Sequence, residues 1–110
     1  MSFKISDVDG VTLVEVDGEL TVGNRDRFKQ VVLERVADGD RKFLVDFGES
    51  SYIDSTGLGA LVSLSRKIRE AGGRLRLSGL NEDLSTLFEL TKLNTVFDIA
   101  ETRAMAMSDF

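Results

Sequence analysis

The sequence predicts an α/β fold: one small mixed β-sheet with packed helices, in the order ββαβαβαβα. Three observations predict it. Two β-rich runs, Phe3 to Val8 and Val11 to Val16, meet at Asp9-Gly10, where both residues can take positive φ and close a tight antiparallel hairpin. Beyond the hairpin, short apolar runs alternate with stretches of helical periodicity, the pattern of βαβ units with parallel strands and right-handed crossovers. The chain of 110 residues holds no proline and no low-complexity segment, so residues 1–110 are expected to form a single domain.

In chain order, Asp17-Gly18-Glu19-Leu20 leads from the hairpin to Thr21 through Asn24, a cluster of candidate helix N-caps. Phe28, Val31, Val32 and Val36 then recur at helical spacing between Arg25 and Ala37, and Asp38-Gly39-Asp40 stops that helix. Phe43 to Phe47 is a nearly continuous apolar run broken by Asp46, as expected of a central strand covered on both faces. A short polar loop is expected next, ending at Asp54-Ser55-Thr56. The second helix follows from about Thr56 to Glu70, with Leu58, Leu61, Val62, Ser65 and Ile68 facing inward and Ser63, Arg66, Lys67 and Glu70 outward; Gly72-Gly73 ends it. Arg74 to Ser78 alternates basic and apolar residues, a half-buried strand with its arginines toward solvent. Asn81 caps a third helix whose inner face is Leu84, Leu87, Phe88 and Thr91, with Glu82 and Asp83 placed to suit its first turn. Val96 to Ile99 reads as a last short strand and Thr102 to Met107 as a terminal helix or frayed end. These patterns leave open which face of the sheet each helix covers.

Composition removes several kinds of chemistry. The chain has neither Cys nor His, which excludes disulfides and thiolate metal sites and takes away the commonest general base. A net charge of −5 argues against a nucleic-acid partner and makes a basic protein surface the more natural one. Arg66, Lys67, Arg69, Arg74 and Arg76 form a local basic cluster without interleaved aromatics, which reads as a solvated face. Met105 and Met107 read as core edge. The opening residues lack the apolar core of a signal peptide and no run approaches the ~18 apolar residues of a membrane span, so a cytoplasmic protein without membrane insertion is expected. No cofactor or metal is expected. No nucleophile elbow, P-loop or dinucleotide fingerprint is present, and Lys67, the nearest candidate base along the helix, lies some three turns from Ser55. A response-regulator receiver is excluded by the order ββα at the start.

Ser55 and Thr56 stand where a strand gives way to a helix, beside unpaired backbone N–H groups and the positive end of the helix dipole. From local pattern alone, capping of the helix by these hydroxyls is the plainer reading, and phosphorylation of Ser55 is the sharper one. Gly57 and Gly59 lie inside the helical pattern, where they would allow close approach of backbone or partner.

Asp54-Ser55-Thr56-Gly57-Leu58-Gly59, after an apolar strand and before a helix, resembles the signature of the STAS domain, and more narrowly that of bacterial anti-sigma factor antagonists. Gly18-Glu19-Leu20, Gly72-Gly73 before Leu75, the segment Leu84 to Thr91, and Val96-Phe97 extend the likeness over roughly Phe3 to Ala100. The resemblance implies a partner-switching regulator without catalysis of its own, acting on sigma-factor-dependent transcription. Its phosphorylation site falls on Ser55. The partner would be an anti-sigma factor that is also an ATP-dependent serine kinase, bound only by the unphosphorylated chain, and a phosphatase would act on phospho-Ser55. Asp54, Thr56, Gly57 and Gly59, with Ser63 farther along the helix, would shape the docking surface, and Glu19, Thr21 and Gly23 its adjoining edge. Two positions depart from the family pattern: Thr21 replaces a frequent acidic residue, which alters that contact, and Asn81-Glu82 replaces a frequent proline. With the resemblance added, phosphoacceptor outweighs cap at Ser55. The alternative is a small cytoplasmic STAS subunit of a membrane complex transporting lipid or anions; a scaffold domain of a large stress-signalling assembly ranks lower.

Overall fold

The computed structural model describes residues 2–108 and 110; Met1 and Asp109, part of the expected 1–110 span, lie outside the described residues. The described residues form β1 (Ser2–Val8), β2 (Val11–Leu20), α1 (Arg25–Ala37), β3 (Lys42–Ile53), α2 (Ser55–Glu70), β4 (Arg74–Ser78), α3 (Glu82–Leu90), β5 (Asp98–Ala100) and α4 (Arg103–Ser108). The predicted order ββαβαβαβα is observed. The hairpin forms as expected: Val8 pairs with Val11, and Asp9 and Gly10 turn the chain at φ of 52° and 80°.

The five strands lie in the order β1-β2-β3-β4-β5, antiparallel between β1 and β2 and parallel thereafter. Each crossover steps one strand onward in the same direction, and right-handed crossovers of that kind put α1, α2 and α3 on one face. There Phe28, Val32, Leu61, Leu64, Ile68, Leu84 and Phe88 meet Val14, Val16, Phe43, Val45, Phe47 and Leu77 in the main core. On the opposite face Val11, Leu13, Leu44 and Ala100 pack against Ala106 of α4, with Met107 and Phe110 at the edge. Both faces are covered, unequally.

The structure corrects several local expectations. The segment after Phe47 is not a loop: β3 continues through Gly48–Ile53, pairing Glu49 with Asp17, Ser50 with Gly18, Tyr52 with Glu19 and Ile53 with Leu20. Pairing with β4 ends at Asp46 and Ser78, so this extension has β2 as its one strand neighbour and much of its surface faces water. A half-solvated strand of that kind carries polar residues. On α2 the inner stripe runs through Gly57, Leu58, Ala60, Leu61, Leu64 and Ile68, whereas Val62 is 38% exposed. Each residue turns ~100° about the helix axis, so Val62 next to the centrally buried Leu61 faces away from it.

Arg76 is the other correction. It is 7% exposed, roofed by α4, and donates to the Ala106 carbonyl at 2.7 Å while its Nε lies 3.0 Å from Asp98. Arg74 remains exposed and pairs with Asp98 at 2.7 Å, and Phe110 lays its ring against both guanidiniums. Asp46, equally buried, accepts from the Ser78 hydroxyl and from Arg103, each at 2.8 Å. At the end of the chain Val96 and Phe97 precede β5 instead of forming it. Phe97 packs against Phe88 with ring centroids 5.8 Å apart. Met107 sits at the edge of the second core as read, while Met105 is exposed.

The corrected helix face has a measurable consequence. Leu64→Ala should lower unfolding free energy by about 2–5 kcal/mol. Val62→Ala should stay within about 0.5 kcal/mol, because its side chain lies at the surface. Urea unfolding of both variants checks this, and equal losses would contradict the observed packing.

Candidate functional site at the start of helix α2

The site is assembled by Asp54, the residue between β3 and α2. Its backbone is extended (φ −88°, ψ 178°), which turns its carboxylate back over the first helical turn. Oδ1 accepts from the Gly57 N–H at 2.8 Å and from the Thr56 hydroxyl at 2.6 Å; Oδ2 accepts from the Val22 N–H at 3.1 Å. The N-cap is therefore Asp54, not Ser55 or Thr56 as local pattern suggested. Asp54 outcompetes them because its side chain precedes the helix, the position from which an oxygen reaches the N–H groups of the first turn.

Ser55 is thereby released from structural duty. It is the first residue of α2 and exposed, and none of the described residues hydrogen-bonds its hydroxyl. The glycines that follow differ in kind. A Cβ on Gly57 would lie 2.4 Å from the Leu20 carbonyl oxygen and 3.0 Å from Ile53, so no side chain fits. A Cβ on Gly59 would meet nothing within 4 Å. Close backbone approach explains Gly57 and leaves Gly59 as an opening in the surface.

The loop after β2 is tied to the same junction. Asn24, expected among the N-caps of α1, makes no cap bond there. Its amide spans the loop instead, accepting from the Thr21 N–H at 2.9 Å and donating to the Glu19 carbonyl at 2.7 Å. Through the bond from Val22 to Asp54, the structure brings Thr21 and Gly23 to the edge of the junction, with Glu19 lining the same shallow hollow. Ser63 does not join them: it lies about 12 Å farther along the α2 axis than Ser55. Residues the sequence reading did not single out are Val22, which acts through its backbone, Asn24 in its bridging role, and Tyr52, 51% exposed near the end of β3. A lone aromatic in the polar run after Phe47 was the one available signal for Tyr52.

Ser55 stands on a ridge between two depressions. Toward α1 lies a polar cleft of about 350 Å³ shared with Arg25, Asp26, Lys29, Thr56 and Gly59. Toward α3 lies a more apolar groove of about 450 Å³ lined by Tyr52, Ile53, Leu58, Leu84 and Leu87, with Asp54 and Asp83 at its rim. The Thr56 hydroxyl, followed by the Gly57 and Val22 N–H groups, holds the Asp54 carboxyl below the usual carboxylate range. The charged form is the one that caps.

A family profile described as STAS domain matches residues 2–106. The chain belongs to the STAS domain family. An anti-sigma-B factor antagonist of Staphylococcus aureus is 32% identical over 88 residues, which span 80% of this STAS chain and 82% of that protein. The Thermotoga maritima protein tm1081 superimposes on the STAS fold seen here with a TM-score of 0.92 at 29% identity, covering 97% of this chain and 92% of the other. SpoIIAA of Bacillus in its phosphorylated form superimposes with a TM-score of 0.76 at 19% identity, covering 97% of both chains, a likeness of fold. Among the described residues no helix is long and apolar enough to cross a membrane.

The contrast between the two glycines is testable. Gly57→Ala should lower the thermal midpoint by several degrees, since ~1–3 kcal/mol of overpacking acts on a chain of this size. Gly59→Ala should fold as the wild type does.

The capping carboxylate also has a pH signature. A carboxyl depressed in the folded state contributes stability that is fully present above its unfolded pKa of ~3.9 and lost as pH falls through the folded value. Two further carboxyls act in the same sense. The Thr12 hydroxyl, then Arg35, holds Asp40 down; burial pushes Asp98 up, but Arg74 and Arg76 outweigh it. With no His to titrate, the thermal midpoint should be level between about pH 5 and 8 and fall below about pH 4. Asp54→Asn should flatten part of that acid limb, read by calorimetric scans across pH.

Proposed function

We propose that this STAS domain is an anti-sigma factor antagonist of the partner-switching kind, without catalysis of its own, inactivated by phosphorylation of Ser55. The observation that carries this reading is the division of labour at the junction. Asp54 satisfies the first turn of α2, so the exposed Ser55 hydroxyl beside it has no other task. A residue that is structurally idle, accessible and fixed in place by its neighbours is what a kinase needs in a substrate.

In this reading the unphosphorylated surface around Ser55 binds an anti-sigma factor that is also an ATP-dependent serine kinase. Asp54, Thr56 and Gly59 contribute from α2 and its cap, and Glu19, Thr21 and Gly23 from the adjoining loop; Ser63, about two turns farther along α2, meets only a partner that reaches beyond that cluster. Gly57 is buried, so it acts by letting the helix approach Leu20 and not by touching the partner. In the kinase reaction Ser55 Oγ attacks the γ-phosphorus of ATP. The new O–P bond forms as the bond to the ADP oxygen breaks, and the hydroxyl proton passes to a base on the kinase. The product carries a charge of about −1.5 to −2 on the docking surface. The start of α2 tolerates an anion, but a partner surface matched to the neutral serine would face uncompensated charge and desolvation. A phosphatase that hydrolyses the ester restores binding. Both partners place the protein in the cytoplasm.

Intact mass after incubation with ATP and the anti-sigma kinase of the same organism tests this directly. The wild type should gain one phosphate and release the kinase, whereas Ser55→Ala should gain none and stay bound. A wild type that neither binds such a kinase nor gains mass would overturn the reading, and co-purification with a membrane transport complex would then be sought.

A further inference from the structure

We propose that Arg25 and Lys29 of α1 form a cationic receiver that draws the phosphate of phospho-Ser55 into the polar cleft between α1 and α2. The inference rests on phosphorylation of Ser55 as proposed above and concerns where the phosphate then goes.

Ser55 borders two depressions of opposite character, and rotation about its side chain gives a phosphate access to either. The groove toward α3 offers mostly apolar side chains, the Ser51, Tyr52 and Thr91 hydroxyls and the carboxylates of Asp54 and Asp83, with no cation to offset a dianion. The cleft toward α1 offers Arg25 and Lys29 beside Asp26, while the Thr56 hydroxyl that also lines it already donates to Asp54. Arg25 and Lys29 are four residues apart on a helix and therefore share one face. Both are half-buried against the α2 side, unlike the exposed Arg27 and Gln30 on the same helix. Arg25 is also poorly served as it stands. Its Nε is shielded from water without a hydrogen bond, and its ion pair with the highly exposed Asp26 is long, at 3.6 Å. The opening at Gly59, where even a Cβ would meet no atom within 4 Å, leaves room at the cleft for a tetrahedral group. The charged groups facing Ser55 are thus Arg25, Lys29 and Asp26 from α1, Asp54 from the cap and Asp83 from α3; the two cations lie on one side.

The consequence is a phosphate held as the dianion. Free phosphoserine loses its second proton near pH 6, close to where a regulatory charge would otherwise become partial. Two flanking cations lower that value and keep the charge complete.

The test installs phosphoserine at position 55 during translation, which needs no kinase, and follows its second ionisation by phosphorus NMR between pH 4.5 and 8. Arg25→Gln combined with Lys29→Gln should raise that pKa by about 0.3–1 unit. Asp26→Asn should lower it. Lys29→Gln alone, with a wild-type amide spectrum, guards against a folding effect of the double change. A titration curve that none of these substitutions moves would overturn the proposal. A natural kinase that fails to modify Ser55 sinks partner switching and leaves the titration result standing; an unmoved titration sinks the receiver and leaves partner switching intact.

Discussion

The Leu20 carbonyl is the fixed point from which the rest of this surface follows. It accepts the Asp54 N–H at 3.1 Å and sits so close to α2 that position 57 can carry no side chain. For that contact to exist, β3 must run on to Ile53 in register with Leu20, well beyond the last residue that β4 pairs. The helix must also begin at once, because one residue separates strand from helix. Asp54 is that residue, and its carboxylate closes the turn by binding both the helix start and the loop that follows β2. The exposure of Ser55 is a by-product of these demands: it is the first position at which the backbone is fixed and the side chain is not needed.

The two faces of the sheet solve the burial problem differently. Beneath α1, α2 and α3 the contacts are mainly apolar, with the buried Thr12 donating to Asp40, which Arg35 of α1 also holds. Beneath α4 they include Asp46, Arg76, Arg103 and Glu15, set among Leu13, Leu44 and Ala106. Burying such charges costs several kcal/mol each unless every one is matched, and here Asp46 and Arg76 are both ion-paired, although the Arg76 Nε facing Asp98 makes no aligned hydrogen bond. Arg103 bridges Glu15 and Asp46, and Asp46 holds Ser78 as well. A short helix contributes little apolar area, so directional pairs fix its position where packing alone would leave it loose.

Much of this was legible in the sequence, and what was not has physical reasons. The hairpin, the element order, the inner residues of α1 and Leu84 and Phe88 of α3 announce themselves through turn chemistry and periodicity, whereas Thr91, read as inner, is the exposed C-cap of α3. The extension of β3 does not, because Gly48-Glu49-Ser50-Ser51 has the composition of a loop and its strand character comes from pairing with β2. Arg76 likewise reads as solvent-facing until α4 is seen to roof it, a tertiary fact that local alternation cannot carry. At the site, Asp54 and Ser55 were named but their roles were shared out differently. Pattern places a hydroxyl at the helix start; geometry gives the cap to the carboxylate. Val22 could not have been found, since it contributes only its amide.

The unbroken strand order has an implication for how the chain comes together. No strand must be threaded between two already paired, so each β–α unit can add to the growing edge as soon as it exists. Stepwise addition of this kind suits vectorial synthesis, where the leading segment acquires a core before the trailing one has emerged. The junction at Asp54 is complete once β2, α1, β3 and the first turn of α2 have formed. The far face, by contrast, keeps Leu13, Leu44 and Arg76 exposed until α4 arrives. During that interval the nascent chain is sticky on the face of the sheet away from Ser55, until α4 covers it.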